Sequence, residues 1–240
     1  MGQEALCRCL TKSCRTSSGS RLARSFLAKE KAFSRLRDEL SQARRSLGWE
    51  AVEKEYQFNG PNGKETLAQL FDGRSQLIIY HFMFHADWDA GCPHCSRWAD
   101  SFNGAIVHLN HRDVTMVAIS HAPYPRLAAY ERRMGWTFKW LSSFESDFNF
   151  DYHVSFTPGE MSTKKAFYNY TEQDPDAPER EGISVFFKDP LGRVFHTYST
   201  YARGIDMMNT DYQYLDLVPK GRDEDGRGPY WVRRRDEYDR

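Results

Sequence analysis

Cys92 and Cys95 are separated by Pro93 and His94, a C-x-x-C pair in a chain with only five cysteines. Such a pair points to redox or metal chemistry rather than to a fold staple. On a helix, positions i and i+3 share a face with Cβ atoms about 5–6 Å apart. A disulfide there needs only a slight adjustment of the first turn. The thiolate is the nucleophile in exchange. Cys92 falls at the expected start of a helix, where free backbone N–H groups and the positive dipole end favour an anion. Cys95 lies on the apolar stripe formed with Trp98, Phe102, Ile106 and Leu109, and should be more buried. The asymmetry assigns roles: Cys92 attacks or is attacked, and Cys95 resolves the mixed disulfide. Pro93 fits the first turn, where its missing N–H costs nothing. His94 is the tuner, because a protonated imidazole favours the Cys92 thiolate and makes the pair more oxidising. C-x-x-C potentials span about −270 to −120 mV, and a stabilised thiolate marks the oxidising end.

Zinc is the competing chemistry. His81, His85, His94, His111 and His121 are available as ligands, but a closed site needs four donors and no second C-x-x-C supplies them. The expectation is therefore no metal at the cysteines and no bound organic cofactor. Trp88 lies in a polar loop four residues before Cys92 and is a candidate contact for a thiol substrate. Asp87 and Asp89 flank it. Either offers a proton relay to Cys95, and Asp89 is placed to cap the helix.

These residues need a scaffold. Gln76 to Phe84 reads as a strand buried on both faces. A helix from Cys92 to about Asn110 follows, then a second buried strand at Val114–Ser120. Next come a helix from about Pro125 to Met134, capped by Gly135, and a strand at Thr137–Leu141. The first two strands, joined across a helix, should be parallel with a right-handed crossover. Residues 172–181 are acidic, with Pro175 and Pro178, and read as an exposed loop. Ile183–Lys188 and Arg193–Thr200 form a hairpin around Asp189-Pro190-Leu191-Gly192. The result is an α/β sandwich with a mixed sheet. Its C-x-x-C sits at the carboxyl end of the first buried strand, where ligand sites of open α/β sheets gather.

The 240 residues carry 33 Lys plus Arg and 33 Asp plus Glu. A neutral balance argues against a general nucleic-acid binder. No apolar run approaches the roughly 18 residues of a membrane span. Residues 1–20 hold Cys7, Cys9 and Cys14 and read as a disordered tail, with a composition also compatible with organelle targeting; otherwise the expected location is cytoplasmic. A myristoylation signal is disfavoured by Leu6 where the pattern wants Ser or Thr. Residues 21–48 read as an amphipathic helix, its stripe of Leu22, Phe26, Phe33, Leu36, Leu40, Ala43 and Leu47 suited to the core or to a second copy in a homodimer. Residues 220–240 mix seven basic and six acidic side chains and read as peripheral.

Beyond these patterns, several motifs occur together: Asp87-Trp88, Gly91-Cys92-Pro93-His94-Cys95, Trp98-Ala99-Asp100, Arg132-Arg133-Met134-Gly135-Trp136 and Ser146 to Asp151. Thr197 to Gly204 and Tyr214-Leu215-Asp216 continue the series. In this order they resemble a DUF899-like family of thioredoxin-like proteins regarded as dithiol–disulfide oxidoreductases, over roughly residues 22–240. The resemblance implies a thioredoxin-like three-layer sandwich over residues 49–219, related to the peroxiredoxin branch, with Cys92 and Cys95 as the redox pair. It implies as partners a thiol or disulfide substrate, protein or small molecule, and an electron donor. Two positions depart from the related patterns. Where thioredoxins carry a cis-proline facing the disulfide, this chain has Glu181-Gly182-Ile183, which makes Gly182 and Ile183 the candidate substrate-docking positions. Where peroxiredoxins carry Thr or Ser three residues before the peroxidatic cysteine, it has Asp89. The reading is a thiol–disulfide oxidoreductase. The alternatives are a non-catalytic thiol or metal-binding adaptor and a peroxide-reducing, peroxiredoxin-like enzyme.

Overall fold

The computed structural model describes residues 17–238. The expectations for the tail and for Cys7, Cys9 and Cys14 lie outside the described residues. The chain divides into two units, residues 1–48 and 49–240. In the first, helix α1 runs Ser17–Arg45. It begins four residues earlier than the apolar stripe alone indicates. Ser and Gly are weak helix formers, yet a first turn tolerates them because its N–H groups lack intrahelical partners anyway. Leu22, Phe26, Phe33 and Leu36 along its stripe are exposed.

The second unit is built on an eight-stranded sheet. Its strands are β1 (Glu50–Ala51), β2 (Gln57–Gly60), β3 (Gly63–Thr66), β4 (Gln76–His81), β5 (Val114–Ser120) and β6 (Trp140–Ser142), then β9 (Gly182–Lys188) and β10 (Val194–Tyr201). The spatial order is β1-β10-β9-β4-β5-β6-β2-β3. β7 (Ala166–Tyr168) and β8 (Thr171–Gln173) pair separately. β4 and β5 are parallel, as are β5 and β6, whereas β9 runs antiparallel to β4 and β10 antiparallel to β9. Two parallel strands joined through a helix, flanked by a closing antiparallel hairpin, make a thioredoxin-like fold. Residues alternate between the faces, as the two-residue period of a strand requires. Leu77 and Ile79 of β4, with Val117 and Ile119 of β5, enter one cluster around Phe148 and Phe186. Ile78 and Tyr80, with Met116 and Ala118, meet the other around Phe82, Phe102 and Trp140. Burial on both faces thus follows from the near-continuous apolar runs.

The helix expected from Cys92 to Asn110 is two helices, α2 (Pro93–Ala99) and α3 (Phe102–Asn110). Local polar side chains explain the break. Ser101 Oγ donates to the Trp98 carbonyl at 2.8 Å, and Asp100 accepts from Trp136 Nε1 at 2.8 Å. Such groups compete with helical backbone bonding. α4 (Tyr124–Met134) ends at Gly135, which is left-handed at φ 63° as a glycine cap requires. The stretch before β9 also holds α5 (Phe148–Asp151) and α6 (Pro158–Thr163), and α7 (Thr210–Leu215) follows β10. Among the described residues no helix is long and apolar enough to cross a membrane.

The segment read as peripheral is tied to the body. Val232 is buried, Arg133 bonds Asp236 and Glu237, and Arg234 reaches Gly91. Charge composition alone describes these residues as solvated. It carries no signal of ion pairs with partners a hundred residues away.

Candidate active site

The dithiol sits where α2 leaves the loop after β4. Cys92 N donates to the Met83 carbonyl at 3.0 Å, and Arg234 Nη2 and Nε donate to the Gly91 carbonyl at 2.8 and 3.1 Å. Cys92 is the N-cap and Pro93 opens the helix. The Cys92 carbonyl accepts from Ser96 N at 2.9 Å and from Ser96 Oγ at 2.8 Å. Ser96 Oγ also contacts Tyr130 Oη at 2.9 Å. The loop is therefore held from the strand, the helix and the C-terminal segment. Asp89, expected to cap this helix, does not: the N-cap makes no side-chain hydrogen bond.

Both cysteines are free thiols; Cys92 is half-buried and Cys95 is buried. Their acidities are driven apart. The Cys95 thiol, acting as donor, lowers the pKa of Cys92 against the cost of burial, with help from the backbone N–H groups of Cys95 and His94. Burial first, then the neighbouring Cys92 sulfur, pushes Cys95 well up. Two adjacent thiols cannot both ionise in a low-dielectric site, so one takes the charge and the other keeps the proton. The Tyr80 hydroxyl is buried without a well-formed hydrogen bond and interacts with the Cys95 thiol.

His94 differs from its expected role. Burial and the nearby Arg97 lower its pKa, so at neutral pH the imidazole is uncharged and supplies no positive field to Cys92. The stabilising groups are N–H donors and the second thiol.

The dithiol lines a cavity of about 500 Å³. Tyr80, Met83 and Trp98 give it an apolar floor beside Cys95, while Arg180, Arg203 and Arg222 alternate with Glu181, Asp206 and Glu224 around it. Tyr212 is held between two guanidinium groups, Arg97 at 4.2 Å and Arg222 at 3.8 Å from its centroid. Its hydroxyl donates to Glu224 Oε1 at 2.6 Å. Ala202 and Arg203, from the motif after the hairpin, reach this cavity.

The expected docking residues are placed differently. Gly182 and Ile183 are buried behind the cavity, and Glu181 lines it instead. Gly182 pairs with His81 across the sheet, and a Cβ there would come within 2.7 Å of the Tyr201 ring. Close packing, not substrate contact, explains the glycine. Among the described residues no peptide bond is cis. Trp88 does not line the cavity. Its ring lies 6.3 Å from that of His85, and its carbonyl accepts from Arg126 Nη1 at 2.7 Å. Asp87 is exposed beside His85 and does not line the cavity. Sequence reasoning missed Glu181, Arg97 and Tyr212 as cavity residues. Only Glu181 carried a signal, since it occupies the position next to the expected proline site.

A family profile described as "Bacterial protein of unknown function (DUF899)" matches residues 17–238. No curated protein matches the chain. Among solved structures, peroxidoxin BcpB from Mycobacterium tuberculosis is similar with a TM-score of 0.45 and 14% identity, covering 68% of this chain and 94% of that one. Peroxiredoxin Q from Xanthomonas campestris gives 0.46 and 9%, over 67% and 93% of the two chains. The mitochondrial 2-Cys peroxiredoxin from Plasmodium falciparum gives 0.42 and 15%, over 70% and 93%. At such identities the likeness extends no further than the fold.

Proposed function

The chain belongs to this DUF899 family, and on that footing we propose that it is a thiol–disulfide oxidoreductase acting through Cys92 and Cys95. The supporting observation is the split in acidity between two adjacent thiols on the wall of an open cavity. The Cys92 thiolate attacks one sulfur of a substrate disulfide. A Cys92–substrate disulfide forms and the first substrate thiolate leaves, taking the proton that Cys95 gives up. The Cys95 thiolate then attacks Cys92 Sγ, the intramolecular disulfide closes, and the second substrate thiolate departs to be protonated by solvent. Two electrons pass from the dithiol to the substrate. An external thiol or dithiol reductant returns them, and the reverse sequence oxidises a substrate dithiol. Burial of Cys95 keeps it protonated until the mixed disulfide removes the charge on its neighbour.

The peroxidase alternative lacks the Thr or Ser expected at position 89, which is Asp89. The test is a redox titration of the pair in glutathione or dithiothreitol buffers, read by alkylation and mass spectrometry. A reversible two-electron transition between about −270 and −120 mV is expected. Cys92→Ser should lower exchange on the order of a thousandfold or more, because only the buried, protonated Cys95 thiol remains, and Cys95→Ser should trap mixed disulfides. Unchanged exchange by Cys92→Ser, or the absence of any transition, refutes the assignment.

A further inference from the structure

The strand ends that present the dithiol present a second polar centre. His85 follows the end of β4 by four residues, His121 immediately follows β5, and Glu179 approaches from the loop before β9. One ligand atom from each lies within 4.8 Å of the others. The acidic loop is exposed at Glu172, Asp174 and Asp176, as its composition indicates, but Glu179 within it is 1% exposed. Ser155 Oγ donates to Glu179 Oε2 at 2.7 Å, and residues 155 and 179 form an antiparallel backbone bridge. The carboxylate is thus fixed. Its other oxygen, Oε1, faces His121 Nδ1 at 3.4 Å. The two are not aligned as a hydrogen bond, and each is buried without a hydrogen-bond partner. Phe144 and Phe150 pack on the His121 ring at 5.8 and 5.1 Å, which shields this side from water.

A buried carboxylate oxygen left unsatisfied is costly. A hydrogen-bonded His–Glu pair would satisfy it, but this geometry does not form one, and such a pair gives no reason for His85 to converge on the same point. A cation bound by all three side chains accounts for both facts. Two imidazoles and one carboxylate are donors for zinc and similar first-row ions rather than for calcium or magnesium. With metal–ligand bonds of about 2.0–2.1 Å, two ligands of a tetrahedral ion stand about 3.4 Å apart. The His121–Glu179 contact already has that spacing. We propose that His85, His121 and Glu179 form a binding site for a divalent transition-metal ion of zinc's class, held through two imidazole nitrogens and one carboxylate oxygen. Three protein ligands leave at least one position for water or an exogenous ligand, the donor count of open rather than closed zinc sites. Ser155 acts on the ion through Glu179, orienting the carboxylate. The proposal is independent of the dithiol, which contributes no ligand.

The full-length chain, stripped with a chelator, is titrated with Zn²⁺ against a chromophoric indicator. The same titration is run on the Cys92→Ser/Cys95→Ser double variant. One equivalent bound by both proteins is expected, with affinity reduced at least a hundredfold in His85→Ala and in Glu179→Gln. Because Glu179→Gln alters a buried group and can fail to fold, His85→Ala, whose side chain is partly exposed, carries the test, with circular dichroism confirming its fold. Cobalt bound to the wild-type chain should show visible ligand-field absorption without a thiolate charge-transfer band. Zinc binding lost in the cysteine double variant, binding unchanged in His85→Ala, or no stoichiometric binding by the wild type would each overturn the site.

Discussion

The dithiol and the His85–His121–Glu179 cluster occupy the same edge of one sheet, yet burial acts on them in opposite ways. At the dithiol, two like groups compete for one negative charge. Burial falls mainly on Cys95, N–H donors fall on Cys92, and the pair separates into an acidic and a reluctant thiol. At the cluster, unlike groups converge. Burial raises the pKa of Glu179 while His121, then Ser155, pull it back, and the 3.4 Å contact with His121 is too poorly aligned to be a well-formed hydrogen bond to its second oxygen. One centre settles its charge between two thiols; at the other a buried carboxylate has only an imidazole at 3.4 Å to oppose its charge. A polar group's burial therefore indicates chemistry only when its partners are counted too.

Gly91→Ala tests how tightly the dithiol side of this comparison is packed. A Cβ at residue 91 would stand 2.6 Å from Phe82 Cε1 and 3.2 Å from Tyr130 Cε1. Both rings belong to the main cluster and cannot swing aside. Overpacking of this kind costs about 3 kcal/mol, toward the upper end of its usual range. Urea unfolding should show that loss, accompanied by slower alkylation of Cys92. A wild-type urea midpoint would mean that the loop yields and that the dithiol is not rigidly held.

His81 sharpens the other side. It closes β4, four residues before His85, but faces inward, with its Nε2 2.8 Å from Ser184 Oγ and its ring stacked near Phe148 and Tyr152. No carboxylate accompanies it. Burial, then His196, lowers its pKa to about 3. The unfolded chain binds a proton near pH 6.5 that the folded chain refuses until about pH 3. Stability from this group is therefore complete above pH 6.5 and is lost as pH falls toward 3. Between pH 7 and pH 5 the loss is about 2 kcal/mol, from about 1.4 kcal/mol per pH unit. His81→Phe keeps the stacking and should remove that part of the acid sensitivity in paired urea melts. An unchanged pH slope would show that His81 is protonated in the folded protein, and that a histidine here needs no anionic partner.

The order of strands and helices was legible because apolar periodicity survives in β4, β5, α4 and the closing hairpin. The dithiol and its asymmetry were legible because C-x-x-C at a helix start is a local pattern. The rest depends on long-range contacts. Glu179 sits in a loop whose acidic, proline-containing composition reads as solvent-facing, and nothing local shows that His121 and Ser155 await it. His81 and His85 have a spacing that on a helix would align two ligands. At a strand end it sends one ring into the core and the other to the sheet edge. Trp88 stands close to Cys92 in sequence, but the intervening turn carries it away from the cavity, and His94 lost its expected charge to burial that a dipeptide does not reveal.

The smallest effect concerns the C-terminal segment, where composition and contacts disagree most. Arg234 uses Nε and Nη2 on the Gly91 carbonyl and Nη1 on Glu237, spanning the loop and its own segment. Charge-assisted bonds to a carbonyl are worth more than neutral ones, but this side chain is one-fifth exposed, so solvent screens part of the gain. Arg234→Ala should therefore cost about 1 kcal/mol. It should also speed proteolysis within 220–238 and change the alkylation rate of Cys92 severalfold. Arg234→Lys should restore little, since an ammonium cannot reproduce the two parallel donors of the guanidinium fork. Among the described residues Arg234 bonds Gly91 and Glu237 and no member of the His85–His121–Glu179 cluster, so zinc binding should respond to Arg234→Ala far less than Cys92 does. If Arg234→Ala leaves both stability and Cys92 alkylation at wild-type values, residues 220–238 are as peripheral as their composition suggests, and the dithiol loop is held by Met83 and Ser96.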